Sequence, residues 1–322
     1  MAGNLPHRPR TFRLNSPTTP PTSRRGPGTF LTTAPPEALF LISAIAQYLG
    51  AVIAVELFDE IDPASVAWLR VIGASLALLI FAGPRLRQRW TRNDVIAMAV
   101  FGIATAAMNL FFYLAIERLP LGKGVAIEFI GPIAVAAVRT RSRRNAVALI
   151  CAAVGVAVLS GIELSGEPLG LLFIFLASAM WATYIVIGSK VAQQDRGVAG
   201  LGLGLVIGAL VITPFGAPGS GPAWESPRIL LLCVLVGVLS SAIGYGIDQS
   251  VLRRVPVRRF SVMLALLPVT ATVMGFAFLD QTPSIIDLVG MVLVLAGVVT
   301  QDRENLPQRD TQLKPGDTAM SQ

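Results

Sequence analysis

The sequence predicts an all-α integral membrane protein of ten transmembrane helices, arranged as two inverted five-helix repeats. Composition, the spacing of apolar segments and self-similarity at a fixed offset lead there. Of 322 residues, 53% are hydrophobic and 14% charged, and the mean hydropathy is +0.66. Ordinary soluble domains carry about 25% charged residues, so a soluble chain of this length could not cover its own exterior.

The first 36 residues hold eight prolines, no acid and no apolar run. They cannot bury a core, and residues 1–37 read as a disordered, basic, Pro-rich cytoplasmic tail. The tail is not read as a signal peptide, because the next apolar segment is long enough to remain as a span. Its prolines also oppose the amphipathic helix of a transit peptide. From Ala38 to Thr300, mainly apolar segments of about 17 to 22 residues alternate with short polar or Pro/Gly breaks. At ~1.5 Å per helical residue each segment crosses roughly 30 Å of hydrocarbon. The spans are read at 38–57, 64–83, 94–116, 121–138, 145–162, 169–189, 198–217, 229–250, 257–278 and 284–300. Residues 301–322 read as a second disordered cytoplasmic tail.

The charge of +7 and pI near 10.1 could point to nucleic acid, but the basic residues sit in the gaps between spans rather than on a reading face. Of 26 Lys and Arg, 22 fall in the two tails and the even-numbered loops, including Arg85, Arg87, Arg89 and Arg92, then Arg139, Arg141, Arg143 and Arg144. Arg118, Lys123 and Arg228 fall on the other side, and Arg70 lies inside a span. By the positive-inside rule both termini are cytoplasmic.

A shift of 136 positions lays Leu119-Pro120-Leu121 on Val255-Pro256-Val257 and Gly131-Pro132-Ile133 on Leu267-Pro268-Val269. It also lays Thr105-Ala106 on Ser241-Ala242, Tyr48 on Tyr184 and Gly161 on Gly297. The repeats are then 38–162 and 169–300. Five spans each is an odd number, so the second copy enters from the opposite side, giving an inverted repeat of the kind that interconverts inward-open and outward-open carriers. No Walker A sequence is present, so ATP is not the expected driver.

Polar residues within spans are costly and therefore candidate sites. Glu128 lies about eight residues along the fourth span, just before Gly131-Pro132. Pro132 cannot donate to the carbonyl of Glu128, so a carboxylate and a freed carbonyl share one expected kink, suited to an ammonium group or an exchangeable proton. The competing reading pairs Glu128 with Arg70 purely for packing. Asn109 and Tyr113 share a helix face, as do Tyr245, Asp248 and Gln249 on the repeat-related eighth span, and either set can bind a solute or hold helices together. Trp181, Tyr184, Gln47 and Tyr48 lie on the related sixth and first spans, where an interfacial belt competes with a binding role. Glu56, Asp59, Glu60 and Asp62 read as a solvated acidic loop. Cys151 and Cys233 lack CxxC spacing and a His partner and read as small core residues. No cofactor and no metal is expected, and His7, the sole histidine, lies in the tail.

The stretch from Met108 to Val138, MNLFFYLAIERLPLGKGVAIEFIGPIAVAAV, resembles the third and fourth helices of the threonine/homoserine exporter group in the EamA branch of the drug/metabolite transporter superfamily. Trp181 to Lys190 and Leu239 to Leu279 are similar to its sixth, eighth and ninth helices. The resemblance implies two inverted five-helix repeats, alternating access around a central cavity and proton-coupled export. Glu128 stands at the glutamate of the family's EFxGP element, and Asp248 at an acid after the tyrosine of the eighth helix. The chain departs from the family pattern in having Leu267-Pro268 for Glu-Pro and Gly244-Tyr245 for Pro-Tyr; Pro268 is nevertheless expected to kink its helix as Pro132 does. The function expected is a cytoplasmic-membrane antiporter exporting small neutral amino acids, with protons as coupling ion, the lipid bilayer as surroundings and a homodimer as one arrangement such a bundle allows. Alternatives are export of another small metabolite or drug-like cation and, from a different class, a non-transporting membrane scaffold. An enzyme would need a nucleophile with its base, a metal cluster or an Asp pair.

Overall fold

A computed structural model describes residues 34–87, 89–139, 142–192, 197–244, 247, 251 and 266–300. Every regular element among them is helical. In chain order these are α1 (Pro36–Leu57), α2 (Pro63–Ala82), α3 (Arg92–Ile116), α4 (Leu121–Glu128), α5 (Ile130–Arg139), α6 (Arg143–Gly166), α7 (Pro168–Ala192), α8 (Gly197–Gly216), the single turn α9 (Gly221–Glu225), α10 (Pro227–Gly237), α11 (Leu266–Phe278) and α12 (Ile285–Thr300). A wider π-type segment, Val238–Ile243, continues α10.

Helix starts are written locally. Asp62 caps α2, its carboxylate accepting from the Ala64 amide at 2.8 Å, with Pro63 at the first helical position. Thr91 and Asp94 form a reciprocal capping box at α3. Ser284 and Asp287 do the same before α12, the Ser284 amide donating to Asp287 Oδ2 at 3.0 Å and the Asp287 amide to Ser284 Oγ at 3.2 Å. Pro36 opens α1 two residues before the expected start of the first span, and Glu56 belongs to that helix rather than to a loop.

Five helical stretches are long and apolar enough to cross a bilayer: Pro36–Leu57, Pro63–Ala82, Arg92–Ile116, Pro168–Ile187 and Ala199–Gly216. Shorter apolar helices accompany them. The outer faces carry exposed Ile42, Ile80, Phe81, Leu172, Phe175 and Val292. Helices apolar on both the packed and the outward side need lipid rather than water around them.

The helices pair as α3 with α7, α6 with α12, α2 with α8, α3 with α8, α2 with α10, and α4 with α11. Small residues set how closely they approach. At the α3–α8 crossing Gly102 lies on the backbone of Gly204, and Gly208 on the carbonyl of Gly102, so no Cβ fits at either contact. Gly155 of α6 meets α12 similarly, where an added Cβ would stand 2.7 Å from the Gly290 carbonyl oxygen.

Candidate functional site

The fourth predicted span is two helices. α4 ends at Glu128, Phe129 caps it, and α5 starts at Ile130. The ladder resumes with the Ile133 amide on the Phe129 carbonyl at 3.3 Å, while Pro132 supplies no amide at all. The interruption therefore falls beside the acid, and Gly131 lets α5 press onto the backbone of Ser178 in α7.

Glu128 is 7% exposed, and so is Arg70 of α2. The two interact electrostatically, yet among the described residues Glu128 forms no ion pair within 4 Å. The direct pair weighed from the sequence is thus absent. The Arg70 guanidinium instead lies over the Tyr113 ring, 5.1 Å from its centroid. That is a cation–π contact, and the same cation also acts on the Tyr113 hydroxyl. Among the described residues, Arg70 Nε and Tyr113 Oη are buried without a hydrogen-bond partner. Tyr113 is fully buried, with Phe58 edge-on at 5.8 Å.

Asn109 sits one turn before Tyr113 in α3, 3% exposed, and its Nδ2 donates to the Thr105 carbonyl at 2.8 Å. Trp181 is mid-helix in α7 and meets Phe129 edge-on, with ring centroids 5.0 Å apart. A side chain so far from the helix ends, touching the residue after Glu128, does not sit in an interfacial belt. Tyr184 packs on Phe101 at 4.8 Å. Gln47 and Ser43 of α1 bond to each other and to the π-type segment: Ser43 Oγ donates to the Gly244 carbonyl at 3.0 Å and Ser240 Oγ to the Gln47 carbonyl at 3.1 Å. Pro268 is buried in the first described turn of α11, and the residues before that helix lie outside the described set. Tyr245, Asp248 and Gln249 also lie outside the described residues.

Sequence reasoning missed a second polar cluster. Lys123, counted from the sequence only among the charges of the outer side, is buried in the first turn of α4, with Nζ 3.0 Å from Asp287 Oδ1 of α12. Leu121 donates its amide to Gln281 Oε1 at 2.9 Å. Gln281 is placed there by the end of α11, where Asp280 takes a left-handed conformation at φ 53° and the Gln281 amide returns to the Gly275 carbonyl. A cavity of about 190 Å³ opens here, lined in part by Gly122, Lys123, Thr272, Gln281, Thr282 and Asp287. Two lone charges set just inside apolar segments were the available signal. It was applied to Arg70 and Glu128 but not to Lys123 and Asp287.

Helices apolar on both their packed and outward faces, with an acid and a cation buried among them, define an integral membrane protein. The chain belongs to the EamA-like transporter family, within the drug/metabolite transporter superfamily; the family match covers residues 168–300. It is 32% identical to the threonine/homoserine exporter RhtA of Escherichia coli K12 over 268 residues, 81% of this chain and 89% of that one. RhtA of Salmonella typhimurium gives the same figures. A probable terminal-alkyne amino-acid exporter of Streptantibioticus cattleyicolor is 24% identical over 86% of this chain and 96% of its own. A crystallographically determined chain shares the fold at TM-score 0.56 and 20% identity, covering 83% of this chain and 98% of that one. These named relatives are transporters, not enzymes.

Proposed function

We propose that the protein exports small neutral amino acids, threonine and homoserine first among them, across the cytoplasmic membrane by proton-coupled alternating access. The observation that carries this reading is the separation of Arg70 from Glu128. Among the described residues, two opposite charges are buried in one cluster without an ion pair, and Arg70 Nε and the Tyr113 hydroxyl have no hydrogen-bond partner. Buried charges and donors left in that state are costly, and a zwitterion relieves both. Its carboxylate takes Arg70 Nε and the Tyr113 hydroxyl, and its ammonium takes Glu128. With the site empty, Glu128 carries the exchanged proton instead. A drug-like cation would satisfy Glu128 but leave Arg70 opposing it, and a scaffold has no use for unpaired charges in lipid.

Ten spans in two inverted repeats, 38–162 and 169–300, with both termini cytoplasmic, accompany this proposal. The helix pairings support it. Exchanging halves turns α3 with α7 into the π-type segment with α1, and α3 with α8 into α10 with α2, while α2 with α8 and α6 with α12 map onto themselves. The family match also starts at 168, within one residue of the second repeat. A reporter fused after Gln322 is expected to be active only in its cytoplasmic form and one fused near Glu225 only in its external form; the reverse pattern rejects the topology.

The decisive experiment is transport of labelled threonine and homoserine in proteoliposomes under an imposed pH gradient. Glu128→Gln keeps shape but cannot titrate, so it is expected to insert normally and lose gradient-driven transport, with exchange at equal pH surviving only if the acid serves proton coupling alone. Glu128→Ala is expected to lose both. Wild-type pumping by the Gln variant would make Glu128 a packing residue and end the proposed mechanism.

A further inference from the structure

The cluster at Lys123 and Asp287 lies apart from the Glu128 site. Five residues of α4 separate Lys123 from Glu128, ~7.5 Å along the axis and about 140° around it. The wall of the cavity there carries one positive and one negative side chain in contact, both largely buried. Asp287 Oδ2 is occupied by Ser284, whereas Oδ1 is buried with the ionic contact to Lys123 and no hydrogen bond. At about 190 Å³ the cavity exceeds the ~150 Å³ that admits a benzene-sized ligand.

Charge matching decides which ligands suit such a wall. A ligand bearing a single charge can bind one partner only by stranding the other in a desolvated place. A ligand bearing both signs on neighbouring carbons exchanges one ion pair for two. We propose that this cavity is a second amino-acid site, at the end of the bundle where α4 and α12 begin: the ligand's carboxylate takes Lys123 Nζ and its ammonium takes Asp287 Oδ1. Thr272 and Thr282 offer hydroxyls to a short polar side chain. Lys123, Asp287 and Gln281 also join α4 to the α11–α12 hairpin, so a ligand that splits the pair loosens that end of the bundle. By the charge bias this end is external, which makes the cavity the exit station for substrate that has left Glu128. The assignment rests on the exporter reading above.

The test is the stoichiometry of labelled L-threonine bound to the purified full-length protein. Two molecules per chain are expected for the wild type and one for Lys123→Met/Asp287→Asn, which removes both charges together and leaves no partner stranded. The swap Lys123→Asp/Asp287→Lys is expected to restore the second molecule with the ligand reversed. Threonine methyl ester and N-acetylthreonine, each lacking one charge, are expected not to compete at this site. One molecule per chain in the wild type, unchanged in the double variant, overturns the second site and leaves the exporter reading intact. No threonine binding alongside no amino-acid transport overturns both.

Discussion

Two groups of buried charge share α4, and the protein treats them in opposite ways. Near its start, Lys123 touches Asp287 at 3.0 Å, with the acid further held by Ser284. At its end, Glu128 faces Arg70 without touching it, and Arg70 spends its charge on the face of Tyr113. The first arrangement is already paired and holds α4 to α12. The second, on the proposed function, is completed by substrate. The difference teaches that one helix can carry buried charge both paired and unpaired; the proposed transport site is the unpaired one, and the proposed second site opens a pair already made.

The contrast can be broken most forcefully through stability. Lys123→Met alone leaves Asp287 buried and unpaired and is expected to cost about 3–5 kcal/mol, seen as a large drop in the thermal midpoint in detergent; adding Asp287→Asn is expected to recover most of it. A single variant as stable as wild type would show the pair to be idle. Arg70→Gln is expected to behave in the reverse sense, with little change in midpoint but a fall of at least ~30-fold in threonine transport efficiency, the value of about 2 kcal/mol for a buried charged contact. Tyr113→Phe keeps the ring under the guanidinium and deletes only the unpartnered hydroxyl, so a rise of about fivefold in the threonine KM is expected, near 1 kcal/mol. Smallest of all, Glu60→Gln removes the exposed bridge to Arg228 and is expected to alter the midpoint by less than ~1 kcal/mol and transport not at all.

Much of the bundle was legible because lipid imposes a length and a composition on every crossing helix. Glu128 and Pro132 were legible for the same reason: a charge and a missing amide are conspicuous in an apolar run. Partner choice was not legible. Nothing in sequence spacing distinguishes Arg70 beside Glu128 from Arg70 turned onto Tyr113, since that depends on how α2, α3 and α4 approach in three dimensions. The burial of Lys123 was missed because it lies two residues into its helix, where a snorkelling lysine and a buried one look alike. Trp181 stayed open between belt and binding role because aromatic residues favour interfaces on average, whereas here α7 carries it to mid-helix against Phe129.

The glycine seam between α3 and α8 sets the geometry of any movement between them. With backbone on backbone at Gly102 and Gly204, sliding by even one ridge would drive a side chain into main chain, so tilting is the motion left. Gly102 lies ten residues from one end of α3 and fourteen from the other, lever arms of ~15 and ~21 Å. A tilt of about 10° about that fulcrum moves the two ends in opposite senses by roughly 2.6 and 3.7 Å. Under the proposed alternating access, displacements of that size would part a hydrogen bond at one mouth while closing one at the other, so a contact too tight for a single methyl group would convert a small rotation into antiphase gating.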